Sequence, residues 1–187
     1  DQAVRLDDQC IAAAELLAQQ LFGVAVEFAL QLQHDHPAAP PSLNTRCVTG
    51  ALLPGSRVGE VSRLAADFAG AAAWLAQRRP GLQFAAALAD AHTRGLFERA
   101  IAAHAPGVAL RVFEGRSRAV LTAATVALVA SGTATLETLL CKRPMVVAYR
   151  LGALTALALR GFRLLKSPYF AQPNLLAGRR VVPELAQ

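Results

Sequence analysis

Two short stretches of the sequence carry the residue types that bind oxyanions. The first, Leu52-Leu53-Pro54-Gly55-Ser56-Arg57 with Glu60 three residues on, ends an apolar run in a Gly-Ser turn and opens a long segment of helical spacing. At such a junction free backbone N–H groups and a guanidinium converge, and together they can hold a phosphate. The same residues also describe an ordinary turn in which Ser56 caps the helix and Arg57 lies in solvent. The spacing is not Gly-x-x-x-x-Gly-Lys, so no Walker loop is indicated. The second stretch, Ser131-Gly132-Thr133-Ala134-Thr135-Leu136-Glu137, again directly follows an apolar run. Its first amides suit a pyrophosphate, and Glu137, about one turn into a helix, suits a ribose diol. Taken alone, it also reads as a capped helix whose acid is favoured by the macrodipole. Two such loops at the C-terminal ends of strands in one sheet favour a nucleotide site.

Other reactive side chains offer less. In Pro173-Asn174-Leu175-Leu176-Ala177-Gly178 the asparagine reads as a turn residue bonding its own backbone. His34 and His36 are two apart, with no further ligand at metal spacing, so no metal and no cofactor are expected. Cys10, Cys47 and Cys141 are odd in number and far apart, which suits a reducing cytosol rather than a disulfide framework. Glu60, Asp67 and Glu98 are expected on exposed helix faces, which leaves no evident general base. Trp74, with Leu64, Phe68, Ala71 and Leu75 at helical spacing, reads as core packing.

The elements that must position these residues alternate. Short β-prone runs near residues 47–53, 82–88, 108–113, 126–130 and 145–149 are separated by helical patterns near 59–78, 92–103, 116–123 and 133–140. A further helix is predicted near 153–165, and Pro80-Gly81 and Pro106-Gly107 mark two helix-to-strand returns. The alternation predicts an α/β fold, a Rossmann-like parallel sheet with flanking helices. Residues 1–46 fall outside this rhythm, and Pro37, Pro40 and Pro41 make their end read as a linker. The expected division is therefore a remnant of a preceding domain and linker over 1–46, then the α/β domain over 47–187.

Composition bounds the rest. With 54% apolar residues over a chain of 187, there is enough apolar surface for a real core, and no run is long enough to span a bilayer. The first thirty residues lack a secretory pattern, so the chain is expected to be soluble and not secreted. The formal charge of +6 is concentrated beyond Thr138, where Lys142, Arg143, Arg150, Arg160, Arg163, Lys166, Arg179 and Arg180 face the single acid Glu184. No aromatic-basic interleaving points to nucleic acid. The Leu/Ala-rich segment 151–165, flanked by cations, fits either a lipid headgroup boundary or a helix packed on the sheet with snorkelling arginines.

The stretches ALLPGSRVGEV from Ala51, ASGTATLETLLCKRPMVVAYR from Ala130 and PNLLAGRRVVPELAQ from Pro173 together resemble the lipid-A-disaccharide synthase family, glycosyltransferases of the GT-B architecture. The resemblance covers residues 47–187 and more weakly reaches residues 23–28. It implies one half of a GT-B enzyme, the donor-binding half. The implied reaction transfers diacylglucosamine from UDP to a diacylglucosamine 1-phosphate acceptor, with inversion, giving a β-1′,6-linked disaccharide and UDP. The implied donor-binding residues are Gly55, Ser56, Arg57, Ser131, Gly132, Thr133, Glu137, Asn174 and Gln187, with Arg57 stabilising the leaving group. The resemblance further implies a UDP-linked acylated glucosamine donor, an acylated glucosamine 1-phosphate acceptor, and a cytoplasmic position at the inner membrane surface of a Gram-negative-type bacterium. The chain departs from the family at Gln33-His34-Asp35-His36-Pro37-Ala38, at Thr125 and over residues 85–93. The acceptor-holding domain and the base are expected to lie outside this chain, so these 187 residues alone are expected to be inactive.

Overall fold

The computed structural model describes residues 49–150 and 169–186. Strands β1 (Thr49–Leu53), β2 (Gln83–Leu88), β3 (Leu110–Glu114), β4 (Val126–Ala130) and β5 (Met145–Tyr149) are linked in turn by helices α1 (Val58–Arg78), α2 (Ala91–His104), α3 (Ser117–Ala123) and α4 (Thr133–Leu140). A short helix α5 (Gln172–Ala177) precedes the edge strand β6 (Glu184–Ala186). All strand pairs are parallel, in the order β3-β2-β1-β4-β5-β6. This is the Rossmann-like α/β arrangement that the alternation of apolar runs predicts.

The strands read as continuous apolar runs because helices cover both faces of the sheet. Every residue of β4 is buried. Alternate side chains enter two cores: Leu52, Phe84, Ala86, Leu128 and Val146 meet α1 and α2, whereas Ala51, Leu53, Ala127, Val129 and Val147 meet Val120 and Leu121 of α3. Phe68, Phe84 and Phe97 are among the largest fully buried side chains, each contributing about 1.5–3 kcal/mol of apolar burial. Gly50, in register with Phe84, makes room for that ring, since a Cβ there would lie 2.9 Å from two of its carbons.

Helix α1 carries its expected stripe, with Leu64, Phe68, Ala71 and Leu75 buried. Trp74 packs at the edge of the core, and the Arg78 guanidinium carbon lies 3.7 Å from its ring centroid. Helix α2 starts on Asp90, which accepts from the Thr93 N–H at 2.8 Å. That backbone hydrogen bond holds the Asp90 carboxyl below the usual aspartate range.

The structure corrects several expectations. Asp67 is buried, only 3% exposed, rather than on an outer helix face. It stands at the stripe spacing between Leu64 and Ala71, and Arg150 at the end of β5 reaches its Oδ2 at 3.2 Å. Burial raises the Asp67 carboxyl above its ordinary value, and the Arg150 charge only partly opposes that rise. Arg150 also donates to the Arg63 carbonyl, and Arg143 donates to the carbonyls of Leu121 and Thr122. Two of the C-terminal cations are thus engaged in holding the fold. Strand β3 begins later than predicted, because the turn at Gly107 first brings the Val108 N–H onto the Ala105 carbonyl. Among the described residues the sheet has six strands rather than five, and the Pro-Asn pair lies inside a helix. Proline suits a first helical turn, where its missing N–H is not needed, and Gly178, with φ 62°, terminates that helix.

The predicted helix 153–165, the linker residues, His34, His36, Cys10, Cys47 and Gln187 lie outside the described residues. Among the described residues, no helix is long and apolar enough to cross a membrane.

Candidate functional site

Strands β1 and β4 are neighbours, and from them the strand order runs outward in opposite directions. In an open α/β sheet that reversal parts the loops at the carboxyl ends of the two strands and leaves a crevice between them. The two loops singled out above are the ones that flank it. They line one cleft of about 440 Å³, whose wall includes Gly55, Ser56, Arg57, Ser131, Gly132, Thr133 and Glu137. The volume falls within the roughly 300–1,000 Å³ common for small-ligand sites.

The β1–α1 loop is shaped by its glycine. Gly55 has φ 123°, and a Cβ there would lie 2.7 Å from Glu60 Cβ and 2.8 Å from Glu60 Oε2. The Glu60 carboxylate folds back against the loop. Its Oε2 accepts from the N–H groups of Ser56 at 3.2 Å and Arg57 at 3.4 Å, while its Oε1 accepts from Arg57 Nη1 at 3.0 Å. Glu60, not Ser56, therefore caps α1, and it is half-buried rather than fully exposed. An oxyanion already rests on the donors that the sequence assigns to a phosphate. The Arg57 side chain is 82% exposed, so solvent screens its pairing with Glu60 and an incoming anion can compete for it.

The β4–α4 loop uses a different device. Helix α4 starts on Gly132, at φ 152° and ψ −161°, and has no side-chain cap. Its first-turn amides therefore stand at the cleft wall without a side-chain acceptor. Ser131 is turned away from capping: its hydroxyl donates to the Phe170 carbonyl at 3.0 Å and ties the segment before α5 to this loop. Glu137 faces the cleft, and its Oε2 accepts from the Ser117 hydroxyl at 2.8 Å.

Asn174 does not join these residues on the cleft wall. It is fully buried, with Oδ1 accepting from the N–H groups of Val181 at 2.6 Å and Val182 at 2.8 Å. Its Nδ2 donates to the Val182 carbonyl and to the Glu184 carboxylate, whose other oxygen accepts from the Phe170 N–H. The side chain is consumed in folding the chain from α5 into β6. Gln172, two residues earlier, lines the cleft in its place, and its Oε1 is buried without a hydrogen-bond partner.

The sequence reading missed Ser117, Gly115 and Gln172. A signal for the first two existed. Glu114-Gly115-Arg116-Ser117 follows a predicted strand with the same glycine, cation and hydroxyl composition as the Gly55 loop. Gln172 carries no such signal, because its place in the cleft depends on the tether from Ser131 to Phe170.

Fold and cleft together define a class: a doubly wound parallel α/β domain of Rossmann type with an open site at the switch point of its sheet. Sequence comparison narrows it. The family model for lipid-A-disaccharide synthetase matches residues 41–187, and the chain belongs to that family. A lipid-A-disaccharide synthase of Pseudomonas putida is 46% identical over 173 residues, covering 88% of this chain and 45% of the relative. One of Sodalis glossinidius is 44% identical, covering 90% and 44%, and one of Pseudomonas aeruginosa is 46% identical, covering 88% and 45%. The chain thus spans somewhat less than half the length of these curated relatives.

Proposed function

We propose that this domain binds the UDP-linked acylated glucosamine donor of a glycosyltransferase that makes the lipid A disaccharide. The observation that carries the reading is the convergence of the Gly55 and Gly132 loops on one cleft at the sheet's switch point. Gly55, Ser56 and Arg57 hold the diphosphate once it has displaced the Glu60 carboxylate from the N–H groups of Ser56 and Arg57. The uncapped amides of α4, with Ser131, Gly132 and Thr133, hold the same diphosphate from the opposite wall, and Glu137 accepts from the ribose diol. Asn174 shapes the wall that presents Gln172. The acylated glucosamine 1-phosphate acceptor comes from the far side of the cleft, on a domain outside these residues.

In the proposed reaction the acceptor's 6-hydroxyl attacks the anomeric carbon of the donor, and the bond from that carbon to the diphosphate oxygen breaks with inversion. UDP leaves with the electron pair, and the hydroxyl proton passes to a base on the acceptor-holding domain. Arg57 and the α4 amides meet the charge that develops on the departing diphosphate, so the design needs no metal. We infer a position at the cytoplasmic surface of the inner membrane, a reading supported by the lipid nature of the proposed substrates and by the excess of cations beyond Thr138, which suits anionic headgroups.

These 187 residues by themselves bind UDP weakly and transfer nothing, because turnover requires the acceptor and base held against the donor. An assay of the isolated chain with both lipid substrates checks this, and disaccharide above a heat-killed control would overturn it. Calorimetry of UDP binding to the full-length protein tests the site. Arg57→Ala is expected to weaken binding about ten- to a hundredfold, the loss of a charged hydrogen bond of about 1.5–3 kcal/mol. Unchanged affinity together with unchanged turnover overturns the assignment.

A further inference from the structure

The loop after β3 supplies a third wall to the cleft, through Gly115 and Ser117. Its position is fixed at both ends. The Gly115 N–H donates to the Leu88 carbonyl at the end of β2 at 2.8 Å, and Ser117 is the first residue of α3. From there the Ser117 hydroxyl donates to Glu137 Oε2 at 2.8 Å, linking the β3–α3 loop to α4. Among the described residues Glu137 makes no other side-chain hydrogen bond or ion pair, and it is exposed at an open cleft. A glutamate on an exposed helix turn samples many rotamers, and a ligand that uses it must first select one.

From this arrangement, and resting on the nucleotide reading of the cleft above, we propose that Ser117 is a positioning residue for ribose recognition. It holds the Glu137 carboxylate in the orientation that receives a vicinal diol. The hydrogen-bond inventory allows it. A carboxylate offers about four lone-pair sites, and one donated bond to Oε2 leaves both oxygens able to accept, one from each hydroxyl of a cis-diol. Ser117 spends its proton on Glu137, so in this arrangement its effect on binding passes through Glu137. The ligand class this selects is a ribonucleotide with both the 2′ and 3′ hydroxyls free.

The decisive comparison uses the full-length protein and two probes, UDP and 2′,3′-dideoxy-UDP, with calorimetry on wild type and variants. Wild type is expected to favour UDP, and Glu137→Ala is expected to bind the two probes equally. Ser117→Ala should weaken UDP by about three- to tenfold, the range of one neutral-to-charged hydrogen bond acting indirectly, and leave the dideoxy probe unchanged. Ser117→Thr, which keeps the hydroxyl, should restore the preference. If Ser117→Ala weakens both probes alike, or neither, the positioning role is overturned while the nucleotide reading stands. If wild type does not distinguish the probes, or Glu137→Ala still does, the ribose assignment itself fails and takes the proposal with it.

Discussion

The Gly55 loop and the α5–β6 turn use the same chemistry for opposite ends. In each, one side-chain carboxyl or amide oxygen accepts from two successive backbone N–H groups: Glu60 from Ser56 and Arg57, Asn174 from Val181 and Val182. Asn174 does so with no exposed surface, at 2.6 and 2.8 Å, with its amide nitrogen also paired. Glu60 does so at 3.2 and 3.4 Å beside an arginine that is 82% exposed. Water or a ligand anion can replace the Glu60 oxygen at little cost, whereas loss of the fully buried Asn174 side chain removes four hydrogen bonds from the turn at once. The difference between a ligand seat and a framework bond lies in burial, not in the pattern of donors.

The largest expected effect comes from breaking the buried half of the comparison. Asn174→Ala in the full-length protein takes the acceptor from two amides and one of the two donors from the Glu184 carboxylate, and should cost about 3 kcal/mol of stability. Its urea midpoint should fall clearly, and UDP affinity measured where the variant is still folded should change little. A variant as stable as wild type would put the two regions on the same footing.

Asp67 and Arg150 form an intermediate case, buried like Asn174 but with Oδ1 left without a partner. Arg150→Ala should cost about 2 kcal/mol at neutral pH, below the ~3–5 for a fully buried pair because the Arg150 side chain is 34% exposed. The folded carboxyl titrates above its ordinary 3.8, so the folded state binds the proton more tightly than the unfolded chain does. This group's contribution is thus complete below 3.8 and is lost as pH rises through the raised folded value. Asp67→Asn should flatten that part of the stability profile between acid and neutral pH, and denaturation at a series of pH values reads it directly.

Gly55→Ala sharpens the exposed half. The positive φ and the contact with Glu60 should together cost about 1–2 kcal/mol and turn the loop N–H groups out of the geometry that the diphosphate needs. The expected readout is UDP affinity lowered along with stability, where Asn174→Ala lowers stability alone. The smallest effect belongs to Glu60→Gln, which keeps an acceptor for the loop but removes its charge. Binding of inorganic pyrophosphate should tighten by about two- to fivefold, the ~0.5–1 kcal/mol of one exposed like-charge contact. Weaker binding would mean that Glu60 holds the loop in shape for the ligand rather than occupying its seat.

The sequence by itself determined the elements and the two facing loops. Strands β4 and β5 and helix α4 fall where apolar runs and spacing put them, since pleat and helix periods act within a window of a few residues. Gly55 and Gly132 were legible for the same reason, as each turn needs its glycine locally. The tertiary structure decided what each polar side chain does. Asp67 became a buried acid only because β5 ends with Arg150 beneath α1, and Ser117 met Glu137 only because α3 and α4 follow neighbouring loops around one cleft. Asn174 was absorbed because β6 closes the sheet edge and brings Val181 and Val182 back over α5. Local pattern fixes which donors and acceptors a segment carries, whereas their partners lie many residues away and are chosen by strand order and burial.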